Sequence, residues 1–341
     1  MKTFPFKKID AFTRGQSSGN PCACIYLNGV ADITPDEMQR IARELKGFVN
    51  EVVYLFPEKQ GCLLKYYSAE CEVDFCGHGT IGIMYDYISN HPELFARDII
   101  PIRVKDERLA VYNRLAGEDS VYITAPLPSF HAVALGKNEI AGALNIRAED
   151  LDDRFDQALV NAGLNTLIVP IHGLETVLSL LPDEAVLKKF CLNHDLDIVL
   201  VFTDDVADCR HQFRTRVFAP KFGYLEDPAT GSGNSAFGYY LLKRDLWDGS
   251  GISIEQNLSR HCPNIVKLDT VKQGGDIRVI FGGAASVKIE GVYKIRHGFR
   301  HSIHSNPLPV RVLPDAGAAF APKKIHEFSG KCDMKSAVSS C

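Results

Sequence analysis

Three short stretches set carboxylates, an imidazole and paired glycines beside apolar runs. They are Asn50-Glu51 ahead of Val52-Val53-Tyr54-Leu55, the run Glu72-Val73-Asp74-Phe75-Cys76-Gly77-His78-Gly79-Thr80, and Glu226-Asp227-Pro228-Ala229-Thr230-Gly231-Ser232. A carboxylate at the mouth of a strand, partly desolvated by its neighbours, is placed to take up and return a proton, and Glu51 fits that description best. An ordinary hydrated glutamate at a strand edge fits it too. His78 lies inside the first glycine turn, where imidazole can bond to a ligand or make a purely structural contact. Asp227, fixed by the following Pro228, suits either a reacting carboxylate or a cap ahead of a helix.

The glycine turns occur twice. Cys76-Gly77-His78-Gly79-Thr80 runs into Ile81-Gly82-Ile83-Met84-Tyr85, and Thr230-Gly231-Ser232-Gly233-Asn234 runs into Ser235-Ala236-Phe237-Gly238-Tyr239. At a similar offset Tyr66-Tyr67-Ser68-Ala69 matches Val217-Phe218-Ala219-Pro220, and Ser18-Gly19-Asn20-Pro21 resembles Asn161-Ala162-Gly163-Leu164, so two similar halves are expected. Each turn opens a helix that is apolar on most of its circumference and therefore buried. A helix N-terminus offers unpaired N–H groups and partial positive charge, and glycine lets an anion come close. Two such turns facing one another would hold a carboxylate; taken singly, the glycines would serve tight packing equally well.

The elements that must position these residues mix short strands with few helices. Pro5 to Phe12, Cys22 to Leu27, Val52 to Phe56 and Cys62 to Tyr67 read as strands. Thr34-Pro35-Asp36-Glu37 starts a helix that carries Met38, Ile41, Ala42 and Leu45 on one face and ends near Gly47. Further strands are predicted at Ile100 to Val104, Ala110 to Asn113 and Val121 to Thr124, with a boundary at Ala125-Pro126-Leu127-Pro128. Beyond it the reading is helices around Asn138 to Leu144 and Pro182 to Cys191, strands at Thr166 to Pro170, Ile198 to Phe202 and Gln212 to Phe218, and a β-rich stretch from Ile252 to Ile295. Helices do not follow every strand, which excludes a doubly wound sheet.

Composition narrows the classes of function. The chain has 341 residues, 45% hydrophobic and 23% charged, with 38 basic and 42 acidic side chains giving a net charge of −4. No global field draws it to nucleic acid. No apolar run approaches the roughly 20 residues of a membrane span, and the N-terminus carries no signal-type apolar block. Ten cysteines in a chain of this length are too sparse for a disulfide scaffold, so a cytoplasmic setting with free thiols is expected. His261-Cys262 and the pair His301 and His304 lack metal-site spacing, so no metal is expected. Neither phosphate fingerprint is present, and no nucleotide or other cofactor is expected.

At these motifs the sequence resembles the PhzF-type phenazine-biosynthesis family, relatives of the cofactor-independent diaminopimelate epimerases and proline racemases. The resemblance spans roughly residues 4 to 296. It rests on Asp10-Ala11-Phe12 with Gly19-Asn20-Pro21, on Asn50-Glu51, on Lys65-Tyr66-Tyr67-Ser68 with Glu72 to Thr80, on Arg216-Val217-Phe218-Ala219-Pro220, and on Glu226 to Ser232. It implies an α+β fold of two similar halves, each a curved antiparallel sheet or barrel around a central helix, with the active site between them. The halves would be 1–127, completed by about 284–300, and 128–283, leaving 301–341 as an extended or partly disordered tail.

Carried over by position, the resemblance makes Glu51 the general acid/base, with His78, Asp227 and Ser232 orienting substrate and assisting proton transfer. Asn20, Gly77, Gly79 and Gly231 would contact a substrate carboxylate. The epimerase relatives use a thiol at the position of Cys76 and another at the start of the second turn, where this chain has Thr230. A hydroxyl cannot serve as that second base, so a single-carboxylate shuttle fits better than a two-thiol racemase. Ala69, Gly79 and Gly233 depart from the family's usual Pro, Ala or Pro, and Ala, and bear on the choice of substrate. The expected activity is isomerisation of a small carboxylate-bearing, amino-acid-derived metabolite by a homodimer. A lyase or dehydratase, and a binding protein that keeps the fold without turnover, are the alternatives.

Overall fold

The computed structural model describes residues 1–295; the tail assigned to 301–341 lies outside the described residues. Parallel strand pairs require a crossover, and the crossovers here are the principal helices. Strands Lys2–Ala11, Asn20–Tyr26, Glu51–Glu58, Gly61–Ser68, Ile99–Val104, Glu107–Asn113 and Val121–Thr124 pair in that order. The two parallel contacts, 20–26 with 51–58 and 61–68 with 99–104, are bridged by helices Pro35–Glu44 and Gly77–Ser89.

The same series then recurs. Strands Ala158–Asn161, Asn165–Pro170, Ile198–Thr203, Phe213–Phe218, Ile252–Gln256, Asn264–Gln273 and Asp276–Gly283 pair with the same alternation of antiparallel and parallel. Helices Glu184–Asn193 and Gly231–Lys243 cross between its parallel pairs. Two-residue strands, Glu72–Val73 and Glu226–Asp227, sit at equivalent places just ahead of the two glycine turns.

The last strands of the two series, Val121–Thr124 and Asp276–Gly283, pair with each other, so one sheet runs through both halves. Each half is then completed from beyond the other's last strand. Ala285–Ile295 returns to lie on Lys2–Ala11, with Tyr293 opposite Phe4, and Ser129–His131 joins Ala158–Asn161.

Local chemistry explains the element ends. Thr34 caps its helix by accepting from the Glu37 N–H at 3.2 Å while Glu37 accepts from the Thr34 N–H at 2.9 Å, a reciprocal cap worth about 1 kcal/mol. That helix ends at Glu44, earlier than the expected Gly47. The first strand stops at Ala11 rather than at Phe12, because Phe12 turns to φ +61°. The expected helix from Pro182 begins instead at Glu184, where the Asp183 carboxylate accepts from the Val186 N–H at 2.9 Å.

The helices Gly77–Ser89 and Gly231–Lys243 are buried along most of their length and pack against strands of their own halves. A cluster through Ile9, Val53, Ile83, Phe202, Phe237 and Phe281 surrounds both of them. Two further clusters lie under the peripheral helices, around Ile41 and Tyr54 in the first half and around Leu187 and Val201 in the second. No helix among the described residues is long and apolar enough to cross a membrane.

Candidate active site

Both glycine turns come to the same aromatic ring. A methyl at Gly77 would stand 3.1 Å from the buried Phe281 ring, and one at Gly231 would stand 2.3 Å from it. Glycine is therefore required at Gly231 by close approach, and the N-termini of the two central helices meet about Phe281. Gly79 is glycine for a related reason: its Cβ would come within 2.6 Å of Val53. Its N–H is engaged by the Cys76 sulfur at 3.4 Å, so Gly79 acts through packing and capping rather than as a spare donor.

The two helix starts are capped differently. Cys76 caps its own helix through that sulfur contact. Thr230 occupies the matching position but turns its hydroxyl away from the helix, donating to Asp227 Oδ2 at 2.5 Å. The first turn at Gly231 and Ser232 thus begins without a side-chain cap, which leaves its N–H dipoles for an anion.

Asp227 is 8% exposed and doubly engaged, since Asn20 Nδ2 donates to its Oδ1 at 2.7 Å. Asn20 also donates to the Ala229 carbonyl at 2.8 Å, tying the start of a first-half strand to the second-half turn. Its Oδ1 is buried with no hydrogen-bond partner. Burial raises the Asp227 pKa to about 6 with help from the Glu51 charge, opposed by His78 and by the Thr230 and Asn20 hydrogen bonds.

Glu51 opens its strand and is half-buried, with Oε2 3.3 Å from His78 Nε2. That is ion-pair distance, but the angle makes no hydrogen bond, so Oε2 is buried without a donor. Cys76 Sγ lies 3.6 and 3.7 Å from the two nitrogens of the same imidazole. Burial opposes charge on His78, yet the Cys76 sulfur and the Glu51 carboxylate together hold its pKa well above the ordinary histidine value. Burial pushes the Cys76 thiol up, opposed by the neighbouring His78.

The structure therefore brings Asn20, Glu51, His78 and Asp227 together with Gly77 and Gly231, and it adds residues the sequence did not single out. Tyr224 joins them: burial, then the charges of Asp227, Glu51 and Cys76, raise its phenol. Gln256 accepts from the Thr230 N–H at 2.9 Å and donates to the Asp227 carbonyl at 2.9 Å, while Asn264 accepts from the Gly19 N–H at 2.7 Å. No local signal marks Gln256 or Asn264, because each acts on residues far away in sequence. Ser232 stands half-exposed in the first turn of its helix. Glu51, Cys76 and His78 also form a group whose ligand-capable atoms all lie within 4.8 Å of one another, which the expectation of no metal did not anticipate.

Comparison with known proteins agrees with this fold. The family model described as phenazine biosynthesis-like protein matches residues 9–291. An uncharacterized isomerase of Clostridium acetobutylicum is 29% identical over 258 residues, covering 72% of this chain and 82% of that protein. The trans-2,3-dihydro-3-hydroxyanthranilate isomerase of Pseudomonas fluorescens is 27% identical over 265 residues, covering 76% and 87%. The crystal structure of a PhzF-family phenazine biosynthesis protein of Bacillus anthracis superposes with a TM-score of 0.76 at 25% identity, over 86% of this chain and 100% of that one.

Proposed function

Because the chain belongs to the phenazine biosynthesis-like PhzC/PhzF family, we propose that it is an isomerase working by single-carboxylate proton transfer on a small carboxylate-bearing, amino-acid-derived metabolite. Relatives named as isomerases support the reaction class. The observation that carries the mechanism is Glu51 Oε2, a buried oxygen with no hydrogen-bond donor, set 3.3 Å from the His78 imidazole.

In this reading Glu51 Oε2 takes a proton from a C–H carbon activated by the substrate's own carboxylate. The electron pair left behind shifts the double bond, and the same carboxyl group returns the proton to another carbon, so no atom leaves. His78 stabilises the carboxylate before and after transfer. The helix starts at Gly77 and Gly231, with Ser232, hold the carboxylate and the charge that develops on it. Asn20 and Asp227 orient the remaining polar groups. The partner class is a small carboxylate, with a homodimer as the assembly; a light-scattering mass of one chain would refute the dimer.

Asp227, with a pKa near 6, favours one second reading: it can donate a proton at moderate pH and help a hydroxyl depart, giving a lyase. Product mass separates the two, since isomerisation conserves it and dehydration lowers it by one water. The decisive test of the proton shuttle is Glu51→Gln, which keeps size and removes the base. Deuterium exchange from heavy water into candidate carboxylates is expected to fall by about 10²–10⁴-fold, the range for a lost general base. Normal exchange in that variant would remove Glu51 from the mechanism.

A further inference from the structure

A thiol sulfur, an imidazole nitrogen and a carboxylate oxygen converge from two elements of the first half. Glu51 is fixed by the start of its strand, and Cys76 and His78 by the first turn of the adjoining helix. Mixed sulfur, nitrogen and oxygen donors suit zinc, whose bonds to them are about 2.3, 2.0–2.1 and 2.0–2.2 Å. In a tetrahedron these lengths put neighbouring donors roughly 3.3–3.7 Å apart. The observed separations are 3.3 Å from His78 Nε2 to Glu51 Oε2 and 3.7 Å from His78 Nε2 to Cys76 Sγ.

Two further observations favour occupancy. Glu51 Oε2 is buried without a hydrogen-bond donor, so a lone pair there is not engaged. Apart from its approach to the His78 ring nitrogens, the Cys76 sulfur accepts a long N–H contact from Gly79, at 3.4 Å, which a metal–thiolate bond readily outweighs.

We propose that Glu51, Cys76 and His78 bind a thiophilic divalent cation, zinc in the first instance, and that the bound ion blocks the proton shuttle. Coordination releases the Cys76 S–H proton and any proton on His78 Nε2 to solvent, with no change of oxidation state. Three protein ligands leave the fourth position to water. The ion then occupies the Oε2 lone pair that a substrate proton must reach, so it acts as an inhibitor. Magnesium, which demands octahedral oxygen, is excluded by the sulfur and nitrogen donors. The binding stands on the donor geometry alone; only the inhibition rests on the proton-shuttle reading.

The test uses the full chain, freed of metal by a chelator and titrated with cobalt(II) and with zinc chloride. One cobalt per chain is expected, with a thiolate-to-metal charge-transfer band. Cys76→Ser should abolish that band, and His78→Gln should weaken binding at least tenfold without depending on how the serine variant folds. Replacing the exposed Cys209 by serine should change neither. Magnesium should give no heat of binding. Zinc at saturation should suppress deuterium exchange and a chelator should restore it. Absence of the thiolate band, undiminished affinity in His78→Gln, or loss of binding in Cys209→Ser would overturn the site. Full exchange with zinc bound would overturn the inhibition, whereas exchange surviving Glu51→Gln would instead sink the proton-shuttle reading and leave the metal titration untouched.

Discussion

Asp227 carries a measurable conflict between stability and chemistry. Its pKa rises from an ordinary carboxyl value of 3.8 to about 6 in the fold, chiefly through burial. The folded protein then holds a proton that the unfolded chain has lost, so stability is greatest below pH 3.8 and falls as pH rises through about 6. The shift corresponds to about 3 kcal/mol withheld at neutral pH. Asp227→Asn removes that penalty, and the Thr230 hydroxyl can reverse its bond to suit the amide. The variant should melt above the native protein at pH 7–8, lose the advantage towards pH 4, and be inactive; parallel melting curves across that range would contradict the assignment. Asp227 was legible as a candidate from Asp-Pro ahead of a glycine turn. Its partners Asn20 and Thr230 could not be read as such, because the pairing with Asn20 joins positions in different halves.

The turns gain their proximity from the residue they share. Gly231→Ala would drive a methyl to within 2.3 Å of Phe281, whereas Gly77→Ala meets the same ring at 3.1 Å. Overpacking of this kind costs about 1–3 kcal/mol, so Gly231→Ala should destabilise more than Gly77→Ala. Adding Phe281→Leu should recover stability in Gly231→Ala while destabilising the native background, as chemical denaturation would show; additive losses would mean that the ring is not the obstacle. Adjacent side chains on a strand face opposite ways, and Ile252–Gln256 uses both faces. Gln256 secures the second turn, while Glu255 accepts from Arg214 at 2.8 Å, both side chains being fully buried, and from the N–H groups of Ala207 and Asp208 at 3.1 and 3.0 Å. Glu255→Gln strands the fully buried Arg214 and should cost about 3–5 kcal/mol in urea unfolding. The repeated turns and both central helices were visible in composition, since a helix apolar all round has to be interior. Strands Ser129–His131 and Ala158–Asn161 were not, being short and poor in β-branched residues, and their pairing depends on distant partners.

Across the molecule, the duplicated pairing order explains why so much followed from self-comparison: the same local sequence builds the same crossover twice. The exchange of closing segments could be sensed only as a need for completion near 284–300, because no local pattern in Lys2–Ala11 names Ala285–Ile295 as its neighbour. A chain ending at residue 127 should therefore not fold to a stable half, whereas the same segment joined through a flexible linker to 284–295 should gain cooperative unfolding by circular dichroism. Equal behaviour of the two fragments would mean that the returning strand is dispensable.

That returning strand also governs time. Phe4 leaves the ribosome long before Tyr293, its partner across the sheet. Contacts of such long sequence separation are closed late and slow the search for the native state. Throughout synthesis one edge of the first strand waits unpaired, a template for stray β-pairing. Rapid translation at high temperature should thus lose this protein to aggregation well before mature molecules unfold.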